Sequence, residues 1–244
     1  MTLRPVLVAI GGASSSGKST VAKLIHSIAE GSYLFQQDDF FKDDNDIPID
    51  EATGLQSWDC PEALNFDAFV QEVKHLKETG LADETLKNIR YVSDTKDQDL
   101  NSVAPEVLKQ VKEMILPHLM GRKLIIVDGF MMFHDLSIIE LFDIRIFIKA
   151  SHDTLKQRRE SRFGYQTQQT FWVDPPGYFD KIVYPAYAES HKILFNDDDV
   201  EKSVRQDIKD KYDIAVITNN NGTPIADTVL SVSKELESRL SKLD

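Results

Sequence analysis

One octapeptide constrains the fold of this chain more than any other stretch: Gly12 to Ser19 reads G-A-S-S-S-G-K-S, a full match to the spacing G-x-x-x-x-G-K-[ST]. It sits between an apolar run, PVLVAI, and a segment of helical period, VAKLIHSIAE. A strand before and a helix after are the setting in which such a loop wraps phosphate, because Gly12 and Gly17 let the backbone turn until successive N–H groups point inward. The helix N-terminus adds partial positive charge at the same place. The loop residues Gly12, Ala13, Ser14, Ser15, Ser16, Gly17, Lys18, Ser19 and Thr20 are thus expected to cradle a nucleotide, with Lys18 reaching the β and γ phosphates and the Ser19 hydroxyl on Mg²⁺.

The remainder of the chain repeats the same alternation. Apolar runs at 6–10, 32–35, 123–128, 144–149 and 212–218 are separated by longer amphipathic segments, the pattern of βαβ units around a parallel sheet. LVAI and LIIV are continuously apolar, as strands covered on both faces should be. Helices are expected over 66–80, ending at Gly80, over 105–121, cut short or kinked at Pro117, and over 225–244. The polar stretch 83–102 reads as an exposed insertion, and 196–211 as a solvated connection before the last strand. The fold class is α/β, in a single domain spanning 1–244.

Charge and composition narrow the partners. Forty acidic against twenty-eight basic residues leave a net charge of -12, the wrong sign for tracking a nucleic-acid backbone. The single cysteine, Cys60, cannot form an internal disulfide, and no run approaches the ~18 apolar residues of a membrane span. A cytoplasmic protein is expected, with the nucleus also open to it, acting on small molecules without a membrane partner and as a monomer rather than an obligate oligomer.

Three further groups bear chemistry. Asp128 closes the run LIIVD, where an open α/β sheet places ligands and a phosphate loop needs a carboxylate for its metal; a turn-forming Asp-Gly pair is the competing reading. Asp38 and Asp39 follow the second strand, and strand geometry would send them to opposite sides, so one of the two faces the loop as proton acceptor for a hydroxyl. The residues alone do not choose between them. Lys156, Arg158, Arg159 and Arg162 cluster in an acidic chain, with Arg158 and Arg162 on one face if the helix continues, which suits a clamp on phosphate oxygens.

The ordered set GxxxSGKST, QDDFFK, WDCPEALN, VDGFMMF, RRESRFGYQ and DPPGYFD resembles the nicotinamide riboside kinases, particularly their fungal members, within the uridine-kinase-like P-loop kinases. The resemblance spans most of residues 5 to 195. It implies a five-stranded parallel sheet flanked by helices, with a lid and substrate-contact region over 155–178. It also implies transfer of the ATP γ-phosphate to the 5′-hydroxyl of nicotinamide riboside, or of nicotinic acid riboside, toward NAD synthesis. By that resemblance Asp38 is the general base beside the Mg²⁺ shell, and Asp39, Phe40 and Phe41 belong to the substrate-binding segment. Trp58 packs on the pyridine, Asp59 binds ribose hydroxyls, and Arg159 holds the ribose from the other side. Arg158 and Arg162 form the lid over the phosphates, Tyr165 completes the aromatic sandwich, and Gln166 lies beside it. Some members carry Tyr in place of Trp58 and Glu in place of Asp128, which leaves the metal contact of the shorter Asp128 direct or through water. A core tryptophan is the competing reading of Trp58. A uridine or other small-metabolite kinase, and a nucleotide-dependent switch, remain the alternative functions.

Overall fold

The computed structural model describes residues 3–83, 103–167 and 169–243. Five parallel strands form the central sheet: β1 Arg4–Gly11, β2 Tyr33–Gln36, β3 Arg122–Gly129, β4 Ile144–Lys149 and, near the C-terminus, β7 Ile214–Thr218. They lie in the order β2-β3-β1-β4-β7. A two-stranded antiparallel hairpin, β5 Tyr165–Gln166 with β6 Phe171–Trp172, stands apart from the sheet.

Side chains of successive strand residues alternate between two cores. Leu7, Ala9, Ile125, Val127 and Phe147 enter one; Val6, Val8, Ile10, Leu124, Ile126, Ile144, Ile146 and Ile148 enter the other. Each face is therefore sealed, which is why the central runs are apolar without alternation. Helix α1 Lys18–Ile28, α3 Pro105–Ile115 and α8 Ile225–Leu240 cover the second core, and α2 Phe66–Thr79 packs on the first. Each fully buried Leu, Ile or Val in these layers contributes roughly 1.5–3 kcal/mol.

The helix ends follow local chemistry. Gly80 caps α2 in the left-handed region at φ 70°, its N–H donating to Leu76 O. Pro105 opens α3 in its first turn, and the α-helix stops at Ile115, giving way to a 3₁₀ turn at Leu116–His118 that contains Pro117. The stretch 196–211 departs from the expected solvated connection: it contains most of a short helix, α7 Gln206–Tyr212, and buries Val200, Val204 and Ile208. Its few apolar residues are spaced among charges, so composition hid a segment that is anchored at every fourth residue from Val200 to Ile208. From residue 84 onward, the stretch read as an exposed insertion (83–102) lies outside the described residues. No helix among them is long and apolar enough to cross a membrane.

Register places the chemistry. Ile10 of β1 and Gln36 of β2 both align with Asp128 of β3, and Gly11 aligns with Phe147 of β4. The carboxyl ends of three adjacent strands thus meet at one level, with Asp128 between the start of the glycine loop and the segment that bears Asp38.

Candidate active site

The loop after β1 adopts conformations few side chains tolerate, with φ of 145° at Gly12, 68° at Ser15 and 93° at Gly17. A Cβ on Gly12 would lie 2.2 Å from Ile148 O, and one on Gly17 would lie 2.6 Å from the Asn219 amide nitrogen, so both glycines are required. Ser16 N donates to Ala13 O at 3.1 Å, closing the turn. Lys18 is buried as the first residue of α1, with Ser19 and Thr20 half-buried behind it. The hydroxyls of Ser15 and Ser16 are buried and make no hydrogen bond among the described residues. Buried hydroxyl donors without a protein partner, at a helix N-terminus, suit an anion.

Asp128 is buried at 4 % exposure, and its Oδ1 also lacks a hydrogen-bond partner among the described residues. Burial pushes its pKa up to about 6, against the opposing Lys18 charge and a hydrogen bond from Ser19; the neighbouring Asp38 raises it further. Strand β2 ends at Gln36, and Gln37–Phe40 form a 3₁₀ turn rather than continuing as a strand. Within that turn Asp38 is open to solvent and Asp39 is buried. Desolvation by the cleft walls raises the Asp38 pKa; Lys18, Arg162 and Arg159 pull it down, and Asp59 pushes it up. Asp38 is therefore the aspartate that meets both the loop and the arginine cluster. Phe40 does not reach the cleft: its ring is fully buried, edge-on to Phe35 and Phe69. Phe41 stacks on Phe130 at 5.7 Å and meets Trp58 edge-on at 5.6 Å.

Arg159 is the hub of the opposite wall. Helix α5 His152–Glu160 presents it, 5 % exposed, to four hydrogen bonds: Nε to Asp174 Oδ2 at 2.6 Å, Nη2 to Asp174 Oδ1 at 3.2 Å, and Nη1 to both Asp59 Oδ1 at 3.2 Å and Ser14 Oγ at 2.7 Å. Burial alone would lower its pKa, and the Asp59 and Asp174 carboxylates more than offset that. Its guanidinium also lies over the Tyr165 ring at 4.5 Å, and Arg162 approaches the same ring at 5.3 Å. Burial pushes the Tyr165 hydroxyl up to about 12.

One expectation for this wall is corrected. Arg158 and Arg162 do not share a helical face, because α5 stops at Glu160 and Gly164, at φ 141°, turns the chain into the hairpin. Arg158 instead reaches Asn219 Oδ1 at 3.4 Å. Gln166 donates its amide nitrogen to the Thr167 and Thr170 carbonyl oxygens, within the hairpin. Trp58 is buried at 8 %, with Phe41 and Trp172 as ring neighbours and its Nε1 unpartnered among the described residues.

Sequence reasoning missed Asp174, Trp172, Tyr178 and Asn219. Asp174 and Tyr178 stand in the DPPGYFD stretch, whose turn-forming prolines and glycine drew the eye away from its first acid. Asn219 follows the last strand, where its Nδ2 donates to Ser16 O at 2.8 Å and its Oδ1 accepts from Thr228; only its position at a strand's carboxyl end pointed to it. A groove of about 1070 Å³ beside Lys42, Glu62 and His134 contains none of the site residues, whereas a pocket of about 370 Å³ is lined in part by Arg159, Arg162, Tyr165 and Asp174.

The donor set near the loop suits a hard divalent cation: the Ser19 hydroxyl, the orphaned Asp128 oxygen and the accessible Asp38 carboxylate are all oxygens. Among the described residues no group of three or more His, Cys, Asp or Glu could hold a metal ion alone. Mg²⁺ does not ask for one, because it fills its octahedron with water and substrate phosphate.

A parallel sheet in this order, a glycine loop leading into a helix, and an arginine-bearing wall across from an aspartate define a phosphate-loop phosphotransferase. Comparison with known proteins carries the class to a family. The family model described as "Phosphoribulokinase / Uridine kinase family" matches residues 7–163, and the chain belongs to that family. It is 41% identical over 233 residues to the nicotinamide riboside kinase of Saccharomyces cerevisiae, covering 95% of each chain. With the nicotinamide riboside kinase of Schizosaccharomyces pombe it shares 41% identity over 207 residues, 82% of this chain and 85% of the relative. A uridine kinase of Leuconostoc citreum is 28% identical over 166 residues, 66% of this chain and 70% of the relative.

Proposed function

We propose that the chain transfers the γ-phosphoryl group of ATP to the 5′-hydroxyl of nicotinamide riboside, and of nicotinic acid riboside, yielding the mononucleotide that feeds NAD synthesis. Two fungal relatives of that activity at 41% identity support it over the uridine kinase at 28%. The observation that carries the mechanism is the position of Asp38, whose charge neighbours are Lys18 of the glycine loop, Asp59, Arg162 and Arg159.

In this reading the backbone of residues 12–20 and Lys18 hold the donor phosphates. Ser19, Asp128 and Asp38 would hold Mg²⁺, which would supply charge neutralisation to the donor phosphates. Asp38 accepts the proton of the 5′-hydroxyl. Asp59 and Arg159 orient the ribose, Trp58 and Tyr165 flank the pyridinium, and Arg158 and Arg162 offset charge on the transferring phosphoryl group. The net charge of -12 supports a monomeric enzyme of small molecules without nucleic-acid partners.

Incubating the purified protein with ATP, Mg²⁺ and each riboside, and following mononucleotide formation by chromatography, tests the reading. A higher kcat/KM for uridine than for either pyridine riboside overturns it in favour of a uridine kinase. ATP binding without riboside-dependent turnover overturns it in favour of a switch.

A further inference from the structure

Arg159 shares its buried position with two carboxylates. Asp59 and Asp174 both bond its guanidinium, and the three side chains are 5%, 9% and 18% exposed. The cluster therefore carries one negative charge in excess, largely withdrawn from water, where an unbalanced charge is costly. Lys18, Arg158 and Arg162 are the other cations here; Arg162, though it touches the Tyr165 ring, is exposed to solvent, and in the proposed reaction all three turn to the donor phosphates.

Aromatic rings border this cluster. Tyr165 lies against Arg159, Trp172 donates its Nε1–H to Asp174 Oδ1 at 2.8 Å, and Trp58, adjacent to Asp59 in the chain, is 5.9 Å from Trp172. A surplus negative charge beside π faces attracts an organic cation more than a neutral ring of the same shape. Ribose binding accounts for Asp59, and Arg159 balances only one of the two carboxylates. Asp174, fork-bonded to Arg159, is the carboxylate of the pair without a substrate contact of its own, and the cluster's net charge depends on it.

We propose that Asp174 is a specificity-determining residue: held by Arg159 and Trp172, its carboxylate supplies the surplus negative charge by which the acceptor side prefers a riboside bearing a positively charged aromatic base. The proposal rests on the riboside kinase reading of this site. Asp174 acts across space and through the orientation of Arg159, without touching the reacting atoms.

The test compares nicotinamide riboside, a pyridinium cation, with its neutral 1,4-dihydro form, which keeps the ribose and the carboxamide. Binding of each is measured by calorimetry in the presence of a non-hydrolysable ATP analogue, for the wild type, Asp174→Asn and Asp174→Glu. The wild type is expected to prefer the cation by about tenfold, the scale of a cation–π or charge contact. Asp174→Asn loses most of that preference while affinity for the neutral riboside moves by less than about threefold, and Asp174→Glu keeps the preference. Trp172→Phe, which removes the N–H holding Asp174 but keeps a ring, gives an intermediate preference and serves if Asp174→Asn does not fold. Equal weakening of both ribosides in Asp174→Asn, or an unchanged preference, overturns the proposal. If the wild type binds both ribosides with the cation preference yet phosphorylates neither, the kinase reading fails and the charge assignment stands. If the wild type binds neither riboside, both fall.

Discussion

The side-chain amide of Asn219 donates to the main-chain oxygen of Ser16 at 2.8 Å, joining the end of the last strand to the glycine loop after the first. The same residue accepts from Thr228 of α8 and from Arg158. Removing it in Asn219→Ala leaves a loop carbonyl without its buried donor, at a cost of about 1–3 kcal/mol. ATP affinity, measured by calorimetry, is expected to fall with stability, whereas riboside affinity changes little. Gly17→Ala is expected to lose nucleotide binding outright, because the added Cβ meets this amide at 2.6 Å and φ is 93°. Unchanged ATP affinity in both variants would remove Asn219 from the account of the loop.

Asp38→Asn keeps the size of the side chain and removes its basicity. If Asp38 draws the proton from the acceptor hydroxyl, kcat drops by about 10²- to 10⁴-fold while ATP still binds. Asp39, buried beside it, gives the control: Asp39→Asn acts on stability rather than as a base. Near wild-type turnover in Asp38→Asn rules out the base assignment.

Asp44 ties the hairpin that carries Tyr165 to the segment that carries Phe41 and Trp58. Its Oδ2 accepts from Thr167 Oγ1 at 2.7 Å and Thr170 Oγ1 at 2.9 Å, while its main-chain oxygen accepts from Gln56. Asp44→Ala frees one anchor of the hairpin, and with it the placement of Tyr165. The riboside KM is expected to rise by about three- to tenfold, the scale of one or two hydrogen bonds, with the ATP KM nearly unchanged. A parallel rise in both constants would mean that the hairpin does not belong to the acceptor side.

How far the sequence led differs between frame and walls. The five strands and the loop were legible because each rests on local rules, continuous apolar runs and glycines at the turns, that operate within about ten residues. The helix Gln206–Tyr212 was hidden because three buried apolar residues between 200 and 208 are diluted by charge. Strand periodicity could not separate Asp38 from Asp39, since the strand ends at Gln36 and a 3₁₀ turn sets their exposure. Arg159 was found as one charge in a cluster, but its partners Ser14, Asp59 and Asp174 come from three distant stretches, and no local pattern pairs them. Phe40 shows the converse: its neighbours in QDDFFK suggested the cleft, and its position in the turn sends it into the core.

His191 gives the chain a pH-dependent stability that owes nothing to catalysis. It ends helix α6 Tyr184–His191, fully buried, with Nδ1 donating to Tyr187 O at 3.1 Å and Nε2 without a partner among the described residues. Its ring packs between Tyr187 at 4.8 Å and Phe147 at 6.1 Å. Burial lowers its pKa from 6.5 to about 4, and the Tyr187 and Phe130 main-chain groups that favour the charged ring offset only part of that. The unfolded chain takes up the proton first as pH falls, so stability is unaffected above 6.5, declines between 6.5 and 4, and levels off below 4. The decline amounts to about 3 kcal/mol at 1.36 kcal/mol per unit. His191→Phe, which keeps a ring in the cavity, removes that proton uptake. Urea denaturation from pH 7 to pH 4 is expected to show the wild type losing about 3 kcal/mol more than the variant; equal losses would place the pH dependence on other groups.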